Sequence, residues 1–332
     1  MQLFIDSYGA FLGTRDGMFF IKSDSQTSVL PARKIHAIYL TKGVSVSTNA
    51  LAMAIKEGVP VMLIDGIGRP IGQVWSGQFG SVATIRKNQA FFTTHRDGLK
   101  WVVDVIAMKV QQQIGFAYQV GFATPEVGEK VEKMIRPAED ILQKLKQWSI
   151  PKEATQEELS AMKATLRGWE GSASRAYFKV LAACMPEYYR FSGRGKRPAK
   201  DPFNCALNYL YGMLYNMVEL AQMQAGIDPY VGVLHAEEHN RPAMVFDCIE
   251  LYRVWAENVA VRLCKGHILK PHHFMEKEGG IWLAPEGKPV VVHAFDDFLE
   301  ERIDYKDRQF KRITAMSADM VRLASYLKKW RL

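Results

Sequence analysis

The pattern of apolar and polar positions divides the chain into an extended first part and a helical second part. Up to residue 82, short apolar runs alternate with glycines and Asp-Gly pairs, which is typical of strands and tight turns. Asp16-Gly17 indicates a hairpin, and Gly58 is placed to end a single helix over 49–57. The strands that this pattern predicts are 3–5, 10–14, 18–22, 28–31, 35–39, 59–65 and 70–74.

From residue 83 onward, apolar residues recur at intervals of three and four, as they do on one face of a helix. Thr155 and Glu158 have the spacing of a capping box at the start of one of these helices. The predicted helices are 83–94, 98–122, 126–147, 156–185, 204–225, 242–265 and 305–330. Between 271 and 293 the helical pattern lapses, and 279–283 together with 289–292 is typical of a small inserted hairpin.

Composition adds limits on the class of protein. The 332 residues are 48% hydrophobic and 23% charged, as in an ordinary globular protein, and the net charge of +8 is compatible with a nucleic-acid or anionic-surface partner. No apolar run has the length of a membrane span, and the first residues do not resemble a signal peptide, so we expect no membrane partner. We expect reduced, buried thiols and a cytoplasmic location, because the four cysteines lack close spacing and lie in apolar contexts.

The most informative stretch is the helix predicted to begin near Arg241. Asp247 and Glu250 are three residues apart, so a continuous helix would place both carboxylates on one face, among apolar neighbours. Buried carboxylates need a cation, a metal or a proton. His235 lies twelve residues before Asp247, in the turn that leads into this helix. The stretch therefore offers one imidazole and two carboxylates to a single site.

A second stretch, Gly168-Trp169-Glu170-Gly171, lies inside the helix predicted over 156–185. Glycine is costly within a helix, so this pair indicates either that something bulky approaches the backbone or that helices cross closely. Taken alone, the segment is best explained by a solvent-facing Glu170 beside two packing glycines.

Four motifs in order carry a resemblance to a known family. They are Gly-x-Glu-Gly at 168–171, Asp-Pro-x-Asn-x-x-Leu-x-Tyr-x-Tyr at 201–211, Ala-Gly-x-Asp-Pro-x-x-Gly-x-Leu-His at 225–235 and Phe-Asp-x-x-Glu at 246–250. Together they resemble the CRISPR-associated integrase of spacer acquisition, the first of the two universal adaptation proteins. The likeness includes the Gly-Val-Pro-Val strand at 58–61 and so covers nearly the whole chain. It implies an α+β fold, with a small N-terminal mostly-β domain over 1–82 that forms homodimers and a larger all-helical catalytic domain over 83–332.

The resemblance also implies a site. The family's metal triad matches Glu170, His235 and Glu250, and Asp247 matches a nearby acidic residue that supports the triad. One imidazole with carboxylates is an oxygen-rich donor set that suits Mg²⁺ or Mn²⁺ better than structural zinc. The implied partners are DNA, both prespacer and CRISPR repeat, and the small second adaptation protein. Our hypothesis is metal-assisted transesterification, in which a DNA 3′-OH attacks a repeat phosphodiester and water as nucleophile gives a nuclease side reaction.

Basic residues between the helices of Glu170 and Asn204 predict a DNA-binding surface. The segment 188–200 combines five positive charges with Gly193 and Gly195, so we expect a mobile loop that follows a phosphate backbone; a merely solvated loop is the alternative. The charged residues of this segment are Arg190, Arg194, Lys196, Arg197 and Lys200. Further phosphate candidates are Arg175, Lys311, Arg312 and Arg322, although a solvated helix face also explains the basic tail.

Two other functions remain as alternatives. His235-Ala236-Glu237-Glu238-His239 matches the H-x-x-E-H pattern of inverted zinc proteases. That pattern needs a helix with both histidines on one face, whereas Gly232 and Pro242 leave room for only a short turn. A non-catalytic DNA-binding scaffold is the second alternative, although every proposed ligand is present.

Overall fold

A computed structural model describes residues 2–23, 26–64, 70–74, 82–195, 197–235, 241–305 and 308–331. The chain divides into two compact units, Met1–Gly80 and Ser81–Leu332. The first is mostly β and the second is mostly helical, so the predicted fold class is confirmed. Residues 75–81, around the predicted domain boundary, lie outside the described ranges. Among the helices of those ranges, none combines the length and apolar character needed to cross a bilayer.

Where the structure describes it, the first unit contains two four-stranded sheets, one α-helix and a short 3-10 helix at Ala32–Lys34. Strand order is β1-β5-β7-β8 in one sheet and β4-β3-β2-β6 in the other. The elements are β1 (Gln2–Ile5), β2 (Phe11–Arg15), β3 (Met18–Lys22), β4 (Thr27–Leu30), β5 (Ala37–Leu40), β6 (Ser45–Val46), α1 (Thr48–Lys56), β7 (Val61–Ile64) and β8 (Pro70–Val74). The predicted hairpin joins β2 to β3, and both Asp16 and Gly17 have positive φ, as a two-residue hairpin turn requires.

The second unit is built on ten helices within the described ranges. They are α2 (Val82–Thr94), α3 (Arg96–Phe122), α4 (Pro125–Gly128), α5 (Val131–Gln147), α6 (Gln156–Ala183), α7 (Pro202–Ala225), α8 (Ala243–Ile249), α9 (Arg253–Lys265), α10 (Gly287–Glu300) and α11 (Arg312–Lys329). The capping box predicted at the start of α6 is present, with Thr155 Oγ1 accepting from Glu158 N. All four cysteines are free and buried, as expected.

Two hairpins interrupt this helical unit, and their positions correct the sequence prediction. Strand β9 (Phe274–Lys277) pairs with β10 (Gly280–Leu283), whereas 289–292, predicted as a strand, belongs to α10. Strands β11 (Arg302–Tyr305) and β12 (Arg308–Lys311) form a second hairpin before α11, so the helix predicted from residue 305 begins at Arg312. A short strand and the first turn of a helix can have the same spacing of apolar residues. Apolar spacing alone therefore misassigned both segments.

The helix predicted over 242–265 is interrupted, and the interruption shapes the site. Helix α8 ends at Ile249, residues 250–252 form a turn, and α9 begins at Arg253. The backbone N–H groups of Leu251 and Tyr252 bond to carbonyls three residues back, at 3.2 and 2.9 Å, so the α-helical ladder stops there. Neither glycine nor proline marks this break. Because of it, Glu250 projects from a turn and not from the helix that carries Asp247.

Helix α3 runs through the interior of this unit and packs against α5, α6 and α9. Its apolar face includes Val102, Ile106 and Val110. Lys109 also lies on the buried side of α3 and is only 3% exposed. A lysine is rarely buried this completely unless it is paired, so its partners identify a site in the core.

Candidate active site

Asp247 holds the loop that carries His235. Its buried carboxylate accepts hydrogen bonds from the backbone N–H groups of Val233 (2.5 Å), Leu234 (3.1 Å) and His235 (3.2 Å). Gly232 permits this close approach, because a Cβ there would lie 2.6 Å from the carbonyl carbon of Ala243 at the start of α8. Three donors around one carboxylate offset the cost of burying its charge.

The same carboxylate orients the imidazole of His235. His235 Nδ1 lies 2.7 Å from Asp247 Oδ1, and the ring packs against Phe246 with centroids 5.4 Å apart. A carboxylate can only accept, so Nδ1 carries the proton and Nε2 of the neutral ring keeps its lone pair. Metal-ligating histidines in proteins have this arrangement. The side chain is 34% exposed and therefore accessible to a ligand.

Glu250 lies between two buried cations. Arg253 Nε donates to its Oε1 at 2.7 Å, and Lys109 Nζ lies 2.5 Å from its Oε2. The Lys109 contact is an ion pair without hydrogen-bond geometry, so Oε2 has no hydrogen-bond partner. Burial raises the pKa of Glu250, but Arg253 and Lys109 outweigh burial and lower it to about 2. Glu250 is therefore a carboxylate throughout the neutral range.

Glu170, on α6, shares the ammonium of Lys109 with Glu250. Its Oε1 forms an ion pair with Lys109 and accepts from Ser174 Oγ at 2.9 Å. Burial lowers the pKa of Lys109, but Glu250 and Glu170 outweigh this and raise the pKa above its usual value. Two carboxylates from separate elements thus converge on one positive charge.

The glycines around Glu170 leave its surroundings open. A Cβ at Gly168 would have no neighbour within 4 Å, and one at Gly171 would meet only the guanidinium of Arg175 at 3.5 Å. Helix crossing therefore does not explain these glycines. Two explanations remain: something bulky approaches the backbone beside Glu170, or the glycines lie on a solvated surface, since the Glu170 side chain is 27% exposed.

Tyr211 and Glu257 help to fix the position of Arg253. The guanidinium lies over the ring of Tyr211, 4.9 Å from its centroid, and Tyr211 donates its hydroxyl to Glu257 Oε1 at 2.5 Å. Burial raises the pKa of Glu257, which has no exposed surface. These contacts fix the position of Arg253 and, through it, of Glu250.

The four predicted site residues fall into two pairs. Glu170 and Glu250 meet at Lys109, while His235 and Asp247 bond to each other. Among the residues that the structure describes, no three His, Cys, Asp or Glu side chains surround one point closely enough to share a metal ion. The two glutamates nevertheless fit a hard divalent cation, because their oxygens already converge on one cation and Glu250 Oε2 lacks a hydrogen bond.

Sequence reasoning missed the two cations at this site. Lys109 falls on the apolar face of α3, in register with Val102 and Ile106, and a charged residue at a core position is the signal that identifies it. Arg253 follows Glu250 by three residues and forms the ion pair that such spacing allows. Neither residue belongs to the four motifs.

In the described part of the basic segment 188–200, three of the basic side chains contact neighbouring groups. Arg194 donates to Asn208 Oδ1 at 2.6 Å and lies over Tyr211, and Arg197 donates to the Asn208 carbonyl at 3.1 Å. Lys200 donates to the carbonyl of Gly279 in the β9–β10 turn at 2.6 Å. Arg190 and Arg175 are exposed, whereas Lys196 lies outside the described residues.

The phosphate candidates near the C-terminal end are ion-paired with carboxylates. Lys311 pairs with Glu300, and Arg312 pairs with Glu301 while its guanidinium lies 3.8 Å from the centroid of Phe298. Arg322 pairs with Asp319. These contacts neutralise local charge, so Lys311, Arg312 and Arg322 are weaker DNA-contact predictions than Arg190.

Comparison with known proteins identifies the family. The sequence model of the family described as CRISPR associated protein Cas1 matches residues 3–297, which is most of the chain.

The chain belongs to the Cas1 family.

One relative is CRISPR-associated endonuclease Cas1 1 of Thermus thermophilus, 29% identical over 307 residues, which are 92% of this chain and 89% of that protein. Two solved structures share the fold. "Casposase bound to integration product" has a TM-score of 0.78 at 19% identity and covers 100% of this chain and 92% of its own. "Cas6-RT-Cas1--Cas2 complex" has a TM-score of 0.75 at 19% identity and covers 98% of this chain and 35% of its own.

Proposed function

We propose that this Cas1-family chain is a divalent-metal-dependent DNA endonuclease and integrase that inserts spacer DNA into a CRISPR array. In the proposed reaction, a DNA 3′-OH attacks a phosphodiester of the repeat. A new P–O bond forms as the bond from that phosphorus to the 3′ oxygen of the repeat strand breaks, and this oxygen leaves as a free 3′-OH. The observation that carries the proposal is the convergence of Glu170 and Glu250 on one cation. His235, whose imidazole Asp247 orients, supplies the further donor that the proposal needs. The Thermus relative is named an endonuclease, and the fold of a casposase bound to an integration product supports the strand-joining reaction.

Glu170 and Glu250 would hold Mg²⁺ or Mn²⁺, and His235 would become the third ligand when the bound metal draws the imidazole and the two glutamates together. Such a cation, when bound, polarises the phosphodiester and lowers the pKa of the attacking hydroxyl. Asp247 keeps the Nδ1–H of His235 engaged, which presents Nε2 as the ligand atom. Arg253 holds Glu250 through Oε1 and keeps it ionised, as a ligand must be.

The DNA backbone would approach along α6. Gly168 and Gly171 leave the surface beside Glu170 open, and Arg175 lies over Gly171, one turn from Glu170. Arg190 and the anchored Arg194, Arg197 and Lys200 add positive charge that a phosphate backbone can follow. Because Arg194 and Arg197 are held by neighbouring groups, they would bind DNA with little loss of side-chain entropy.

We also propose two protein partners. The solved complex with Cas2 in its name supports a small second adaptation protein as one of them. A second copy of the chain, meeting through the first unit, is the other. Light scattering on the isolated chain, with and without the small protein, tests both; a monomer under all conditions would contradict the homodimer.

The function is tested by a strand-transfer assay with short duplexes bearing free 3′-OH ends and a repeat-containing plasmid. We expect product with Mg²⁺ or Mn²⁺ and none with EDTA. Glu170→Gln and His235→Gln should abolish product while DNA binding persists, and Glu139→Gln, at a carboxylate on α5 bonded to Tyr118, is the matched control. Wild-type activity in either site variant would contradict the assignment.

The same assay separates the alternatives. Glu238 and His239, on which the zinc-protease alternative depends, lie outside the described residues, and the family match does not support it. A tightly bound stoichiometric zinc that survives dialysis would favour a protease. DNA binding without any metal-dependent product would favour a scaffold.

A further inference from the structure

Lys109 occupies the point where two proposed metal ligands meet. Its ammonium contacts Oε1 of Glu170 and Oε2 of Glu250, and it is almost fully buried. Ser174 also engages Glu170 Oε1, and Arg253 engages Glu250 Oε1. Both oxygens of Glu250 are therefore in contact with a positive charge. A divalent cation can bind one of these oxygens only if it shares that oxygen with Lys109 or Arg253, or if it displaces one of them.

The charges of this group already balance. Two carboxylates face two cations, and adding a divalent ion without moving either cation would leave two net positive charges in a buried site. Like charges at short range in such a site repel strongly, because water screens them poorly. Metal binding at Glu170 and Glu250 is therefore coupled to movement of one resident cation.

Of the two cations, Lys109 is the one able to move. Arg253 makes a hydrogen bond of 2.7 Å and lies over the ring of Tyr211, and both contacts fix its planar group. Lys109 donates a hydrogen bond to Glu170 Oε1, but its contact with Glu250 Oε2 lacks hydrogen-bond geometry, and no aromatic ring of the described residues fixes its ammonium. An ammonium on a flexible four-carbon chain is a point charge that can rotate away.

We propose that Lys109 is the internal counter-ion of the metal-free site and competes with the divalent cation for Glu170 and Glu250. It keeps the two carboxylates together before metal binds, and it leaves them when metal binds. The presence of Lys109 thus stabilises the metal-free protein and weakens its affinity for metal. This inference rests on the metal site of the proposed function.

Titration of the full-length chain with Mn²⁺, followed by the EPR signal of free Mn²⁺, tests the competition. Lys109→Met should lower the Mn²⁺ Kd by about tenfold, the smaller end of the range that neighbours of metal ligands produce. Its metal-free Tm should fall, and saturating Mn²⁺ should raise its Tm more than that of the wild type. The matched control is Lys265→Met, at a half-buried lysine that donates to the neutral hydroxyl of Thr124; its Mn²⁺ Kd should match the wild type.

A folded Lys109→Met protein with an unchanged or higher Mn²⁺ Kd would overturn the competition. If that variant does not fold, Lys109→Arg decides, because a guanidinium can bridge both carboxylates and should raise the Kd. An unchanged or lower Kd for Lys109→Arg would likewise overturn it. Absence of Mn²⁺ binding by the wild type as well as by the variants would instead overturn the metal site of the proposed function.

Discussion

Asp247→Asn isolates the role of the carboxylate that holds the His235 loop. The substitution keeps the size of the side chain but replaces one acceptor oxygen with an NH₂ group. Oδ2 accepts from the N–H groups of Val233 and Leu234, and Oδ1 accepts from the N–H of His235 and from its ring. With the NH₂ group at Oδ2, it faces the two backbone donors of Val233 and Leu234. With the NH₂ group at Oδ1, it faces the backbone N–H of His235, and the ring keeps its contact only by changing tautomer, which removes the lone pair from Nε2.

The expected cost follows from these contacts. Two hydrogen bonds to a charged, buried acceptor are lost, and each contributes about 1.5–3 kcal/mol. We expect Asp247→Asn to lower the free energy of unfolding by roughly 3–5 kcal/mol, comparable to the loss of one partner of a buried ion pair. His235 also loses the acceptor that orients its ring, so the Mn²⁺ Kd should rise by about 10–100-fold.

Urea unfolding followed by tryptophan fluorescence measures the stability of the second unit, because six of the seven tryptophans lie after residue 81. Asp228→Asn is the matched control. Asp228 Oδ1 accepts from Tyr230 N at 2.9 Å in the same loop, and asparagine can make the same turn contact. The control should change stability by less than about 0.5 kcal/mol, as surface substitutions do. Equal stability and equal Mn²⁺ affinity for Asp247→Asn and the wild type would refute this account of the loop.

Three further predictions concern other parts of the helical unit. Burial raises the pKa of Glu219 to about 7. The folded protein therefore keeps a proton on Glu219 that the unfolded chain releases near pH 4.5. The free energy of unfolding should fall as pH rises from about 4.5 to 7. Glu219→Gln should remove that fall and gain about 3 kcal/mol at pH 8 relative to the wild type in urea unfolding; identical pH profiles would contradict it. Gly232→Ala should displace the His235 loop from α8, because the new Cβ would lie 2.6 Å from the carbonyl carbon of Ala243. The expected result of this displacement is weaker Mn²⁺ binding with little change in DNA binding. DNA affinity should fall steeply as salt concentration rises. Arg190→Gln should reduce the slope of log K against log salt concentration by about 0.9, the value for one lost phosphate contact. An unchanged slope would show that Arg190 does not contact a DNA phosphate.

The fold could be predicted from sequence wherever the spacing of apolar residues agrees with the local turn and capping signals. The β2–β3 hairpin has Asp16-Gly17 at its turn, and α6 has both a capping box and a long apolar face. The misassigned segments lack such signals. The turn at 250–252 contains neither glycine nor proline, and the β11–β12 hairpin precedes a helix with similar apolar spacing. In these segments, tertiary packing determines whether the chain forms a helix, a strand or a turn. The local sequence pattern does not contain that information.

The site was predictable only in part, for a different physical reason. Motif spacing identifies Glu170, His235, Asp247 and Glu250, because their residue types and order are what a family resemblance preserves. The partners of these residues come from α3 and α9, and a contact between α3 and α6 leaves no trace in linear spacing. Lys109 could have been found only by asking why a charged residue lies on an apolar helix face.

Anomalous diffraction from crystals grown with Mn²⁺ tests most directly whether Glu170, His235 and Glu250 share one divalent cation. The account predicts a single strong manganese peak in the second unit, within coordination distance of both glutamate carboxylates and of His235 Nε2, with the Lys109 ammonium moved away. A peak bound elsewhere, or none while Lys109 still bridges the two carboxylates, would contradict it.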